Sequence, residues 1–166
     1  ALIAFKLANQ AILSQQVRTK RYKDDERDWV IGLNGMKVTK TQYSEPDIKN
    51  PPSGIGMWRP FQLAFLLSCL QSTVEVENQL RENVELIFFP TGGGKTEAYL
   101  GLIAFLGFYK RITNKEHYGI DVIMRYTLRL LTTQQFTRAA SLICSMEKIR
   151  EDNEDILGKN EFSIGV

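Results

Sequence analysis

The chain has 166 residues, 43% of them hydrophobic and 10% aromatic, which is about one domain's worth of polypeptide and too apolar for a disordered segment. Lys and Arg number 21 against 19 Asp and Glu, so a net charge of +2 gives no general attraction to nucleic acid, and any basic contact surface is local. No window reaches the roughly 18 uncharged apolar residues of a membrane-spanning helix, the longest apolar run being residues 98–109.

The chain opens ALIAFKLANQ, with neither a methionine nor a basic leader, which reads as a cut from something longer and not as a signal peptide. Leu2, Ile3, Phe5, Leu7, Ile12, Leu13 and Val17 recur at three- and four-residue spacing, the pattern of an amphipathic helix over 2–18. RTKRYKDDERD mixes both charge signs and reads as solvated surface. Asn34-Gly35 between short apolar runs points to a hairpin within 29–40. Residues 42–57 hold three of the five prolines and read as a linker, so residues 1–57 form an N-terminal helical segment with its linker and a second unit covers 58–166.

From there Pro60 suits the first turn of a helix to about Leu70, a strand is expected over 84–89, a helix over 95–111, a second strand over 120–126, and a helix from about Thr132 to Arg150. FSIGV at the end reads as a third strand just begun. Strands alternating with helices imply an α/β fold with a parallel, doubly wound sheet whose ligands sit beyond the carboxyl ends of the strands. Cys69 and Cys144 lie in apolar helix-like runs, as reduced buried thiols of a cytoplasmic protein would. His117 has no histidine or cysteine companion and reads as a solvated loop residue, and the acidic clusters at 24–26 and 151–155 read as surface.

Residues 84–96, VELIFFPTGGGKT, carry the most chemistry. Gly92, Gly93 and Gly94 let backbone N–H groups turn toward one anion, Lys95 adds a point charge for terminal phosphates, and the Thr96 hydroxyl suits Mg²⁺. The helix that follows turns its positive dipole end to the same anion. The strict phosphate-loop pattern fails at one place, where Phe89 stands at the position usually held by glycine or alanine.

Two segments flank this cradle. Trp58-Arg59-Pro60-Phe61-Gln62 offers an amide that suits an adenine edge and an aromatic that suits its face, although by themselves Trp58 and Phe61 read more readily as core residues at a helix start. RYTLRLLTTQQFTRA, residues 125–139, gathers Arg125, Arg129 and Arg138 with Thr132, Thr133 and Gln134, either as donors to a nucleic-acid backbone or as an ordinary basic helix cap.

In order and spacing these segments resemble the first RecA-like domain of superfamily 2 helicases: Arg59-Pro-Phe-Gln62 is similar to its upstream glutamine motif and PTGGGKTE to its first motif. Arg129-x-Leu131-x-x-Gln134 is similar to its motif Ia, with Leu128 in place of the usual threonine. FKLANQAIL, WRPFQLAFLL, FFPTGGGKTEAYLGL and MRYTLRLLTTQQF further resemble the helicase subunit of the bacterial DISARM anti-phage system. The resemblance implies an incomplete RecA-like P-loop NTPase sheet over 58–166, with ATP and Mg²⁺ held by Arg59, Gln62, Thr91, Gly92, Gly93, Gly94, Lys95, Thr96 and Glu97. It places Gln62 on adenine, Thr96 on the metal, and DNA against Arg125, Arg129 and Gln134.

It also implies a second RecA-like domain of the same polypeptide, a partner protein of the defence system, and catalysis by Lys95 and Thr96 only in the larger protein. The Asp-Glu pair and arginine finger that hydrolysis needs are not assignable here. A small-molecule phosphotransferase, or a non-catalytic nucleotide-binding module, would keep the same cradle.

Overall fold

The computed structural model describes residues 1–20, 27–32, 35–41, 47–90, 92–125 and 129–165. Along the chain stand α1 (Leu2–Lys20), β1 (Arg27–Gly32), β2 (Gly35–Thr41), α2 (Pro60–Val74), a 3₁₀ turn (Gln79–Glu82), α3 (Lys95–Thr113), α4 (Arg129–Glu151) and the short α5 (Glu154–Leu157).

The helices form where apolar residues repeat at helical spacing, because a helix closes its own backbone hydrogen bonds and needs only one face buried. In α1 that face is made of small side chains: Ala4, Ala8 and Ala11, at i, i+4 and i+7, are buried beside Ile12. Their size lets α1 come close to α3 and α4, and it joins Leu100, Ala104, Phe105 and Phe108 of α3 with Ala139, Leu142, Met146 and Ile149 of α4 in one core. Burial of each large side chain contributes roughly 1.5 to 3 kcal/mol over leaving it in water. Helix α2 packs on α3 with Leu66 and Cys69 buried.

Gly101 marks a close approach between Trp58 and α3. A methyl group there would meet the Trp58 ring at 2.7 Å, so only glycine leaves room for the indole against α3. Trp58 Nε1 donates to Asn9 Oδ1 at 2.6 Å and Asn9 Nδ2 to the Phe5 carbonyl at 2.7 Å, which ties the linker's end to α1.

The expected α/β sheet is not found. Among the described residues the one sheet is the antiparallel β1–β2 hairpin, in register from Arg27↔Thr41 to Gly32↔Gly35 with an irregularity between Asp28 and Trp29. The hairpin expected near Asn34-Gly35 is thus present, its connection at 33–34 lying outside the described residues. Residues 84–89 and 120–125, read as parallel strands, are irregular and share no backbone hydrogen bond among the described residues. Their apolar side chains face solvent instead, Val84 at 94% exposure, Phe88 at 92% and Ile123 at 85%. A strand, unlike a helix, needs a neighbour for its N–H and C=O groups, so an apolar run of strand length does not by itself make one. The architecture is predominantly helical, and the RecA-like parallel sheet is corrected accordingly.

Two smaller expectations also change. Cys69 is buried but Cys144 is exposed. His117 is not a freely solvated loop residue, because its Nε2 lies 2.8 Å from Asp121 Oδ1, which also accepts from Lys110 Nζ at 2.6 Å. Burial raises the Asp121 carboxyl, but the bonds from Lys110 and His117 outweigh it and hold the group below its ordinary range.

The terminal segment, read as a nascent strand, is held by side chains. Arg111 Nη2 donates to the Glu161 carbonyl and its guanidinium lies over the Phe162 ring, which meets Phe108 edge-on at 5.5 Å. Glu147 takes a forked contact from Arg150 and accepts from the Phe162 N–H at 2.9 Å. Burial pushes the Glu147 carboxyl up, yet these bonds outweigh it and leave the group below its ordinary value. A carboxylate held low in the folded state contributes stability above its unfolded pKa and loses it as pH falls through the folded value. Glu147→Gln is expected to lower stability by about 2 kcal/mol at neutral pH and to flatten the decline between about pH 5 and pH 3. Denaturant midpoints for both proteins across that range check it, and coincident curves would contradict it.

Candidate functional site

The site is built where the start of α2 meets the start of α3. Arg59 is extended (φ −72°, ψ 147°) and Pro60 takes the first helical position, where its missing N–H is not needed. Gln62 Oε1 accepts from the Arg59 N–H at 2.8 Å and closes the first turn of α2. The other end of the same amide, Nε2, donates to the Gly94 carbonyl at 2.7 Å. Buried to 4% exposure, Gln62 is therefore fixed at both ends and ties α2 to the glycine loop.

The loop turns through the Gly93 N–H, which donates to the Pro90 carbonyl at 3.1 Å. Gly94, the N-cap of α3, has φ +88°, a region that side chains with Cβ rarely adopt, and a methyl group there would lie 2.7 Å from Gln62 Nε2. No side chain caps α3, so the orphan N–H groups of its first turn are left for another acceptor.

Two cations converge on this loop through its carbonyls. Lys95 Nζ donates to Phe89 O at 2.5 Å and to Pro90 O at 3.2 Å, and Arg59 Nη1 donates to Gly93 O at 2.7 Å. Among the described residues neither is ion-paired to a carboxylate. The Phe61 and Phe89 rings stack at 3.9 Å and 14°, which covers the loop's entry. Glu97 in the first turn of α3 is ion-paired to Arg138 of α4. Burial pushes the Arg138 guanidinium down from its ordinary value. A set of donors with two positive charges that no carboxylate among the described residues pairs, at a helix N-terminus, suits an anion such as a phosphate.

Of the residues singled out in the sequence, Arg59, Gln62, Gly93, Gly94, Lys95 and Glu97 are brought together, with Gly92 and the half-buried Thr96 as chain neighbours. Thr91 lies outside the described residues. Arg125 and Gln134 are exposed and form no hydrogen bond with the loop, and Arg129 is the first residue of α4. Arg138, grouped by sequence with the donors to nucleic acid, turns instead to Glu97. The Phe61–Phe89 stack was missed; its signal was the bulky residue where the phosphate-loop pattern asks for a small one.

The chain is 38% identical over 171 residues to the DISARM protein DrmA of Bacillus paralicheniformis (strain ATCC 9945a / NCIMB 11709 / CD-2). That similarity covers 99% of this chain but only 14% of the relative's length. No protein-family model matches the chain, and no solved structure matches it.

The geometry makes Gln62 and Gly94 structural partners before any ligand arrives. Gln62→Ala leaves the Gly94 carbonyl and Arg59 N–H without their partner and is expected to lower stability by about 1 to 3 kcal/mol. Gly94→Ala forces a Cβ into a left-handed conformation and onto Gln62, and is expected to destabilise by at least about 1 kcal/mol. Thermal unfolding of both variants checks this, and wild-type melting temperatures would show the clamp to be energetically idle.

Proposed function

We propose that the glycine loop and the start of α3 bind ATP, and that the protein acts as an ATP-dependent DNA helicase or translocase in bacterial anti-phage defence. The observation that carries the nucleotide reading is the pair of cations, Lys95 and Arg59, held on loop carbonyls with no carboxylate partner among the described residues. A charged group parked on neutral carbonyls exchanges them readily for phosphate oxygens, because a charge-assisted bond to an anion is the stronger one. Similarity to the DISARM protein DrmA supports the defence role.

In this reading Lys95 and Arg59 neutralise the terminal phosphates, the first-turn N–H groups of α3 orient them, and the Thr96 hydroxyl ligates Mg²⁺. Bound ATP with Mg²⁺ supplies a phosphoryl group whose hydrolysis drives motion along DNA. Gln62 keeps the loop in register with α2 through both ends of its amide. Phe61 and Phe89 form an apolar wall beside the loop. Arg129, at the start of α4, with Arg125 and Gln134, is assigned to the DNA backbone. The further groups needed for hydrolysis are assigned to a second domain, and a protein of the same defence system is the partner.

Lys95→Ala is expected to weaken ATP binding by about 1.5 to 3 kcal/mol, because the terminal phosphates lose their point charge. Nucleotide titration of wild type and variant decides it, and equal affinities would end the phosphate assignment. Arg129→Ala is expected to weaken DNA binding about equally for different sequences and to lower the salt slope by about one phosphate contact. Salt-dependent DNA titration beside ATP titration reads both, and unchanged DNA affinity would remove Arg129 from the interface.

A further inference from the structure

We propose that Arg138 is a positioning residue for the nucleotide site: by pairing with Glu97 it cancels a carboxylate at the mouth of the glycine loop, so that phosphates meet Lys95 and Arg59 without a competing negative charge. The inference rests on the nucleotide reading above and extends it to a residue on another helix.

Glu97 has two differently occupied oxygens. Oε1 is bonded by Arg138 Nη2, whereas Oε2 lies 3.4 Å from where a methyl group on Gly94 would stand, so the carboxylate borders the loop. The pair is largely sheltered, with side-chain exposures of 30% for Arg138 and 18% for Glu97, and charges so placed are poorly screened by water. The next residue, Ala139, and Leu142 anchor α4 in the core shared with α3, which keeps the Arg138 backbone beside Glu97.

Without the guanidinium, Glu97 has two outcomes open to it, and both harm a phosphate site. It repels the incoming anion, or it captures one of the two cations that the loop otherwise leaves unpaired. Helix α4 also begins at Arg129, so the helix assigned to DNA and the helix that carries Lys95 are joined by this ion pair.

The test is equilibrium titration of the intact protein with ATP, and with adenosine as an uncharged probe. Arg138→Ala is expected to weaken ATP roughly tenfold while leaving adenosine binding within about twofold. Adding Glu97→Gln to Arg138→Ala is expected to restore most of the ATP affinity, since the offending charge is gone. Arg138→Gln, which keeps a hydrogen bond to Glu97 and hence the helix contact, still loses ATP affinity several-fold, whereas Arg138→Lys retains it. Wild-type ATP affinity in both Arg138→Ala and Arg138→Gln, a double variant as weak as the single one, or a parallel loss of adenosine would overturn the proposal. ATP binding that is indifferent to Lys95→Ala would instead overturn the nucleotide reading itself, and this inference with it.

Discussion

Burial of α3 is the constraint on which the rest of the structure depends. Helices α1, α2 and α4 all pack against it, and Leu100, Ala104, Phe105 and Phe108 are fully enclosed. The glycine loop runs directly into this helix, so Gly94 and Lys95 stand at the start of the element most enclosed by the core. The small face of α1 and the absent side chain at Gly101 serve the same end, by letting neighbours approach α3 closely. Truncating Phe105 or Phe108 would therefore remove stability from the helix that all of these elements share.

Charge is distributed around the loop by separation of roles. The one carboxylate in the first turn of α3 is matched by a guanidinium from α4, and the lysine beside it is left to carbonyl oxygens. Carbonyls hold an ammonium without neutralising it. Lys95, Arg59, Glu97 and Arg138 thus each have a hydrogen-bond partner while the two cations at the loop stay charged. Gln62 contributes differently, since both ends of its amide go to backbone groups that no apolar residue of similar size can satisfy.

The apolar segments at 84–89 and 120–125 show the opposite situation. Val84, Leu86, Phe88, Ile120 and Ile123 face solvent, although their composition is that of buried strands. They contrast with the 158–162 stretch, where Arg150 reaches the Gly158 carbonyl and Arg111 and Glu147 reach the backbone of Glu161 and Phe162. There the main chain is fixed by specific side-chain partners from α3 and α4. At 84–89 the corresponding grip among the described residues is at the loop end, where Lys95 binds the Phe89 and Pro90 carbonyls.

The local features of this protein were legible in its sequence because each is decided by residues close together in the chain. The helices at 2–20, 60–74, 95–113 and 129–151 follow from apolar spacing that one element reads by itself, and Pro60 and the Asn34-Gly35 pair mark a helix start and a hairpin for equally local reasons. The glycine run that leads into α3 at Lys95 was visible for the same reason. Tertiary structure decided what depends on distant partners: whether apolar runs pair as strands, that Gln62 grips Gly94 across 32 positions, and that Arg138 serves Glu97 across 41. A strand ladder and an ion pair between helices are made by groups that the chain brings together only after folding, so neither the spacing nor the composition of either segment contains them.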